Sequence, residues 1–472
     1  MPNRILVPLI VACALFMENL DSTVISTALP AIAEDFGASP IHLKLAMTSY
    51  LLTLAVFLPA SGWLADRLGA RLIFRVAIVT FTAGSILCGF SHSIGSLVFA
   101  RVVQGIGGSM MVPVGRLVVL RTVSKAELVS SLAWLTVPAL VGPVLGPPVG
   151  GFITTYVSWP WIFWINIPVG ILGFILATLY IPEVRGETRV PFDWFGFALS
   201  GLGLSILMGG STTLGLNMLS LPVNFGLIAL GGALLAGYVA HARHRANPIL
   251  ALSLLRIPNF RNTLLGSLIG RVGMGATPFL LPLLLQLGFG MNAFQSGTIT
   301  FASAIGAIAM KFGAPPLLKR YGFRNVLLAN TVISSIFVAL PAIFTPATPV
   351  LLLTVLLLAG GFFRSLQFTS ISALAFADIP PERMSQATTM TSVAQQISVS
   401  LGITIGAIAL EVTTAQHGGE IVWTAFWLPF TLIGLLSMLS LWPFLRLHAD
   451  AGAEVSGRHP TPDAVTAMRD RA

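Results

Sequence analysis

Residues 5–27 read ILVPLIVACALFMENLDSTVIST. This apolar stretch meets the length of about 20 residues that a helix needs to cross a bilayer, and it is longer than the apolar part of a secretion signal. It contains two acidic residues, Glu18 and Asp21. Because they are three positions apart, we predict a retained membrane helix that carries both carboxyl groups on one face.

The composition of the whole chain also indicates a lipid bilayer as its surroundings. Of the 472 residues, 55% are hydrophobic and 9% are charged, and the mean hydropathy is +0.88. Soluble domains carry about 25% charged residues, so a water-soluble surface is excluded. The sequence therefore predicts an all-α membrane protein with 14 transmembrane helices. The fourteen apolar blocks begin near residues 5, 43, 72, 96, 129, 161, 195, 222, 261, 295, 325, 349, 386 and 422.

Basic residues concentrate in alternate loops between the predicted helices. If both termini are cytoplasmic, the opposite loops hold only Lys44, as the positive-inside rule requires. This placement explains the net charge of +9 without a nucleic acid partner. We predict that both termini are cytoplasmic. The basic residues of the cytoplasmic loops are Arg67, Arg71, Arg75, Arg121, Lys125, Arg185, Arg189, Arg243, Arg245, Arg256, Arg261, Lys319, Arg320, Arg324 and Arg383.

A weak internal repeat suggests two halves. Residues 62–73, GWLADRLGARLI, align with residues 315–326, PPLLKRYGFRNV, so that Gly322 matches Gly69. Such duplication is typical of transporters built from two six-helix halves. The predicted domains are an N-terminal bundle, 1–182, a linker with two extra transmembrane helices, 183–245, a C-terminal bundle, 246–448, and a disordered cytoplasmic tail, 449–472.

Charged groups inside the predicted spans indicate function, because each costs at least about 2.5–3.5 kcal/mol at mid-helix. Glu18 and Asp21 are candidate proton carriers, since the charge of a buried carboxyl group responds to its surroundings. The alternative is that one of them pairs with Arg101 and only stabilises the bundle. For Arg101 itself, a structural and a proton-relaying role are both open. The other charged residues within the spans are Arg116, Arg271, Lys311, Arg364 and Glu411.

The second half carries cations where the first half carries carboxylates. Arg271 is a candidate for binding an anionic substrate or an acid of the first helix, and Arg364 is a second substrate-binding candidate. For Arg364 and Lys311 the alternative is that each lies near a helix end and extends to the interface. Gln104 adds a polar substrate-binding candidate in predicted helix 4.

Two further segments have unusual composition. Asp66 lies in a short loop with Arg67, Arg71 and Arg75, where ion pairs could form a conformational latch; topology marking explains the arginines but not Asp66. Residues 137–153 read VPALVGPVLGPPVGGFI, which predicts a kinked helix with a smooth face for sliding or sealing. Simple packing is the alternative.

The sequence contains no motif of a soluble enzyme. P-loop, HExxH, GxSxG and dinucleotide patterns are lacking, so we expect no enzyme activity, no cofactor and no ATP as driving force. The two cysteines, Cys13 and Cys88, lie in apolar segments and indicate neither a disulfide nor a metal site. Transport must then be driven by an ion gradient or by the gradient of the substrate itself. A membrane sensor or scaffold is disfavoured, because the loops are too short to form a signalling domain.

Several motifs occur along the chain in a fixed order. They are LDSTVISTALP (20–30), GWLADRLGAR (62–71), RVVQGIGGSMMVPVGR (101–116), GPVLGPPVGG (142–151), SWPWIFWINIPVG (158–170), FDWFGF (192–197) and, more loosely, GRVGMGATPFLLPLLLQLGFG (270–290) and FADIP (376–380). With these motifs the chain resembles the major facilitator superfamily, and more closely its fourteen-helix drug:proton antiporter branch. The resemblance implies two six-helix bundles with two extra helices between them, alternating access, and a monomer in the bacterial cytoplasmic membrane that exchanges protons for a small-molecule drug.

The same resemblance implies roles for individual residues. Asp21 and Arg101 correspond to the family's proton-coupling acid and its helix 4 arginine, and Asp66 and Arg67 to its conformational latch. One departure is Ser26, a substrate-binding candidate that stands where the family pattern usually has Asn. It shortens a polar group near the cavity, so the resemblance does not decide the substrate. An exporter of an anionic metabolite or metal chelate is the alternative function. The antiporter signature falls on Gly142, Pro143, Gly146, Gly150 and Gly151.

Overall fold

The structure is a computed structural model that describes residues 3–122, 128–183, 191–214, 219–245, 247–380 and 383–456. Within these ranges the chain is helical, with no β-strand. Lys125, Arg185 and Arg189 of the predicted cytoplasmic loops lie outside the described residues, and of Arg121 only the backbone is described. The prediction of an all-α protein is confirmed.

Fourteen helices of twelve or more residues make up most of the described chain. They are α1 (Asn3–Asp35), α2 (Lys44–Leu68), α3 (Ala70–Gly89), α4 (Ile94–Thr122), α5 (Leu128–Tyr156), α6 (Asn166–Tyr180), α7 (Trp194–Thr213), α8 (Leu221–Arg243), α9 (Pro258–Gly275), α10 (Ala293–Tyr321), α11 (Phe323–Ala339), α12 (Val350–Ala375), α13 (Met384–Gln416) and α14 (Trp427–Met438). Shorter α-helices cover Trp161–Trp164, Thr277–Leu283, Leu441–Leu445 and Ala453–Ser456.

Thirteen spans among the described residues are long and apolar enough to cross a membrane. They correspond to α1–α4 and α6–α14, in several cases with an adjoining short helix. They leave out α5, whose side chains are described only from residue 141 onward. The helix runs without interruption through Pro143, Pro147 and Pro148. This continuity is possible in a membrane because neighbouring helices satisfy the backbone groups that proline frees.

The chain divides into two compact units by its internal contacts. The first comprises Met1–Ile249 and Leu281–Phe301. In it α1 packs on α5, while α2 and α3 pack on α4. The pair α7 and α8, which lies in the predicted linker 183–245, packs together and joins this unit through contacts of α7 with α2.

An aromatic cluster connects α2 to the start of α7. The Trp63 ring lies 4.7 Å from the Phe192 ring and 5.7 Å from the Trp194 ring, measured between centroids. Phe57 and Phe197 extend the cluster with a centroid distance of 5.9 Å. Each such ring pair contributes about 0.5–1.5 kcal/mol beyond its buried area. The cluster therefore attaches the extra helices to α2.

The second unit comprises Leu250–Leu280 and Ala302–Ala472. Here α9 packs on α13 and α14, and α11 packs on α12 and α14. Residues 449–456, at the start of the predicted tail, have contacts with this unit: Ala451 and Ala453 are buried, and Gly452 lies against Phe323 and Leu374. Residues 457–472 lie outside the described residues.

The internal repeat has a structural counterpart in two glycine turns. Gly69 separates α2 from α3 with φ of 105°, and Gly322 separates α10 from α11 with φ of 76°. A positive φ is strained for residues with a Cβ atom, which explains why glycine stands at both positions. The two matched segments thus form the same helix–glycine–helix turn.

Gly107 tests the close contact between α3 and α4. A Cβ atom at this position would overlap the backbone of Phe81 in α3, whereas one at Gly232 in α8 would meet nothing within 4 Å. We expect Gly107→Ala to destabilise the protein by about 1–3 kcal/mol through overpacking. Gly232→Ala should be neutral or stabilising, because alanine favours helix. Thermal unfolding of the purified protein in detergent measures both, and a Gly107→Ala variant as stable as wild type would refute the contact.

Candidate functional site

The carboxylate of Asp21 lies at the centre of the first unit with no solvent-exposed surface. It accepts three hydrogen bonds from side chains of two other helices. Arg101 Nη1 donates to Oδ2 at 2.6 Å, and Gln104 Nε2 and Asn166 Nδ2 donate to Oδ1 at 2.8 and 2.9 Å. All three partners are donors, so both oxygens of the carboxyl group act as hydrogen-bond acceptors in this site.

Arg101 is the cation of this site and is 1% exposed. Besides Asp21, its guanidinium contacts the Gln104 side-chain oxygen at 2.6 Å and, through Nε, the carbonyl of Ala46 at 3.4 Å. Its Cζ atom lies 4.1 Å from the centroid of the Tyr50 ring. The three-residue spacing of Arg101 and Gln104 brings both side chains to one face of α4.

Ser85 extends the network to α3. Its hydroxyl accepts hydrogen bonds from Gln104 at 2.8 Å and from Asn166 at 3.3 Å. A Cβ atom at the neighbouring Gly84 would lie 2.5 Å from the Cα atom of Gln104, so glycine is needed for this close approach. The site therefore joins α1, α3, α4 and α6, and removal of one charged partner from such a buried pair costs about 3–5 kcal/mol.

Glu18 lies one turn before Asp21 on α1 and is held differently. Its Oε2 atom is buried and has no hydrogen-bond partner among the described residues. The charged groups that act on it electrostatically are Asp21 and Arg116. The two predicted proton carriers thus differ, since Asp21 is fully hydrogen-bonded and Glu18 is not.

The glycines of the predicted antiporter signature bring α5 against α1. Cβ atoms at Gly142 and Gly150 would lie 2.9 Å from the Phe16 carbonyl oxygen and 2.5 Å from the Val24 carbonyl oxygen. Gly146, one turn from each, lies against Thr23. A second neighbour of this segment is the start of α10, because Gly151 contacts Ala293 and Gly297 contacts Pro147. Close packing is thus one function of these glycines.

The predicted latch residues have contacts within the first unit. The Arg67 guanidinium lies 5.4 Å from the Trp63 ring, next to the aromatic cluster. Arg71 donates to the carbonyl of Thr178 near the end of α6, a favourable place for a cation at a helix C-terminus. Asp66 is half-buried and has interactions of its own. The latch role itself stays a prediction.

The substrate-binding candidates are divided between the two units. In the first unit, Ser26 is buried and donates to the Thr23 carbonyl of its own helix at 2.8 Å, and Gln104 belongs to the Asp21 network. In the second unit, Arg271 in α9 contacts Ser267 at 2.9 Å, and Arg364 in α12 contacts Ser303 at 2.7 Å.

Residues 11–257 and 263–469 match the family model of the Major Facilitator Superfamily. The chain belongs to the major facilitator superfamily. It is consequently a transporter rather than an enzyme, and a multi-pass protein of the bacterial inner membrane. The predicted family is confirmed.

Relatives within the superfamily match the sequence of this chain over most of their length. Proteins from Salmonella heidelberg and Salmonella typhi, each provisionally named multidrug resistance protein MdtD, are 40% identical to the chain over 417 residues. The match covers 87% of this chain and 87% of each relative.

Solved structures of superfamily transporters share the fold. A mutant of the nucleoside transporter NupG has a TM-score of 0.66 at 13% identity and covers 93% of this chain and 99% of its own. The D-xylose-proton symporter has a TM-score of 0.65 at 14% identity and covers 95% and 98%. At these identities the likeness concerns the fold alone.

Three residues of this superfamily member's site did not stand out in the sequence. Asn166 and Ser85 are polar residues within long apolar stretches, and that isolation was the available signal. Tyr50 had no such signal, because a single tyrosine in an apolar helix usually packs like any other aromatic ring.

Among the described residues, no group of three His, Cys, Asp or Glu could hold a metal ion.

The Asp21–Arg101 pair can be tested by a double-mutant cycle. Arg101→Leu leaves the Asp21 carboxylate buried without its counter-charge and should lower the free energy of unfolding by about 3–5 kcal/mol. The double variant Asp21→Leu, Arg101→Leu should be more stable than Arg101→Leu alone. Arg446→Leu, which removes an exposed arginine stacked on Trp442, serves as the control. Thermal unfolding in detergent gives these values, and equal stability of Arg101→Leu and wild type would contradict the pairing.

Proposed function

We propose that this chain is a proton-coupled multidrug efflux transporter, a drug:proton antiporter that works by alternating access. The proposed architecture has fourteen transmembrane helices with both termini cytoplasmic. It comprises six-helix bundles at 1–182 and 246–448 and two extra helices between them. The proposed functional form is a monomer. Multidrug substrates are supported by the name of the 40% identical relatives.

The observation that carries proton coupling is the buried carboxylate of Asp21 with its three donors. Protonation removes the charge that Arg101 neutralises, and it turns one carboxylate oxygen from acceptor into donor. The contacts from α4 and α6 to α1 are then weakened, because a buried cation has lost its partner. Proton binding to Asp21 and formation of its hydrogen bonds to α4 and α6 therefore oppose each other. A coupled transporter needs such a thermodynamic link between proton binding and conformation.

The driving force for such a cycle is the proton gradient. A membrane potential of 100 mV supplies about 2.3 kcal/mol for each charge that crosses. In the proposed cycle the proton enters from outside and reaches Asp21, with Glu18 as a second acceptor on the same helix face. The proton then leaves to the cytoplasm after the drug has been exported.

The Asp21→Asn variant tests this function. The amide keeps the shape of the side chain but cannot change charge, so we expect pH-gradient-driven export of a cationic dye to fall at least tenfold. The measurement uses proteoliposomes that contain the purified full chain under an imposed pH gradient. Glu34→Gln, at an exposed acid of the same helix, is the matched control and should transport like wild type. Full transport by Asp21→Asn would exclude the assignment.

Export of an anionic metabolite or metal chelate is a second candidate. Arg271 and Arg364 are half-buried, and neither is within salt-bridge distance of an acid among the described residues. The Arg271 Cζ atom lies 4.5 Å from the Phe368 ring, one turn after Arg364 on α12. Two such cations, whose partners among the described residues are hydroxyl groups and an aromatic ring and not acids, are suited to an anionic ligand.

The second candidate makes a different prediction for Arg271→Gln. If the substrate is an anion, the exchange of a labelled organic anion by this variant should fall at least tenfold below that of wild type. Its export of a cationic dye should be unchanged. Lys311→Gln, at an exposed cation of the same unit, provides the control. Wild-type protein that exports the dye but exchanges none of the tested organic anions would rule this candidate out.

A further inference from the structure

Several buried polar atoms of the first unit have no hydrogen-bond partner among the described residues. Two of them, the Tyr50 hydroxyl oxygen and Glu18 Oε2, belong to side chains next to the Asp21–Arg101 pair. Tyr50 is 1% exposed and lies on α2. An unsatisfied buried polar group costs about 1–3 kcal/mol, so two of them close together call for a common explanation.

The register of α1 against α4 places these two atoms at the same level. Asp21 bonds to Arg101 and Gln104, and further along the same face Leu15 and Val11 pack against Gly115. Glu18 lies between these two contact points on α1 and therefore faces the stretch of α4 between residues 104 and 115.

Gly108 lies in the middle of this α4 stretch. A Cβ atom there would be 3.0 Å from the Tyr50 hydroxyl oxygen, so the hydroxyl fills the space beside the glycine. Tyr50 and Glu18 also interact electrostatically. The hydroxyl and the carboxyl group thus both lie near the level of Gly108, with no direct hydrogen bond between them.

The ring of Tyr50 contacts the other part of the site. Its centroid lies 4.1 Å from Arg101 Cζ, in the position of a cation–π contact. The Tyr50 ring therefore lies against the Arg101 cation of the Asp21 pair, and the Tyr50 hydroxyl lies at the level of Glu18. This double contact is a geometric link between the two acids of α1.

We propose that Tyr50 is a positioning residue that makes Glu18 a second proton site beside the Asp21–Arg101 pair. When Glu18 is ionised, the Tyr50 hydroxyl donates a hydrogen bond to it, directly or through a water molecule. When Glu18 takes up a proton, its own O–H group donates to the Tyr50 oxygen. Tyrosine keeps its proton in both states, so only Glu18 changes charge. This inference rests on the proposed proton coupling.

Other titratable groups surround this pair. Asp21 faces it from α1, Arg101 and Arg116 act on it from α4, and the thiol of Cys88 approaches from α3. Removal of the Tyr50 hydroxyl leaves these groups in place and removes only the donor to Glu18. The ionised form of Glu18 then loses stabilisation, and the protonated form persists to higher pH.

The test is the pH profile of dye export by Tyr50→Phe, measured with ethidium in proteoliposomes that contain the full chain. We expect the pH of half-maximal transport to rise by about one unit, which corresponds to the loss of one hydrogen bond to a charged group. Tyr238→Phe, at a buried tyrosine of α8, should leave the profile unchanged. In a Glu18→Gln background, Tyr50→Phe should cause no further shift.

Infrared titration separates this inference from the proposed function. The protonated carboxyl band that disappears in Glu18→Gln belongs to Glu18, and its pH midpoint and frequency should both change in Tyr50→Phe. An unchanged band, or a pH shift that persists without Glu18, would overturn the role of Tyr50. If the band changes while wild-type protein shows no pH-gradient-driven export, the proton-coupled function fails and the Tyr50–Glu18 contact is retained.

Discussion

The low polarity of the membrane interior is the constraint on which the first unit depends. A carboxylate there must be neutralised and hydrogen-bonded, and Asp21 obtains both through Arg101, Gln104 and Asn166. These donors come from α4 and α6, so satisfying one charge fixes the relative positions of three helices. The ion pair thus determines how these helices are arranged and contributes little net stability to the fold.

Glycine is the second requirement of this arrangement. The hydrogen bonds to Asp21 are 2.6–2.9 Å long, and helices can come close enough to form such a network only where side chains between them are small or absent. Gly84 and Gly107 provide that space between α3 and α4, and Gly142 and Gly150 provide it between α5 and α1. The polar site and the glycine-rich motifs are therefore parts of one packing solution, although they lie far apart in the sequence.

The sequence was sufficient for the helical class, the membrane location and the charged members of the site. The length of an apolar stretch directly indicates a membrane span. A charged residue within a span, such as Asp21 or Arg101, is conspicuous because placing a charge in the bilayer costs free energy. Neutral polar residues cost less free energy in a membrane and are therefore less conspicuous in the sequence. Asn166, Ser85 and Tyr50 can be recognised as site residues only from their contacts in the structure. The grouping of the extra helices with the first unit was equally hidden, because it depends on the aromatic contacts of Trp63.

The paired glycine turns at Gly69 and Gly322 align the two matched segments of the chain. The spacing between them is the same as that between Glu18 and Arg271, so an acid in one copy stands where the other copy has a base. The glycine turn is the same in both copies, whereas the charge at this position has the opposite sign. A chimera made of two first copies would therefore carry an acid at both positions, where the natural chain carries one acid and one base.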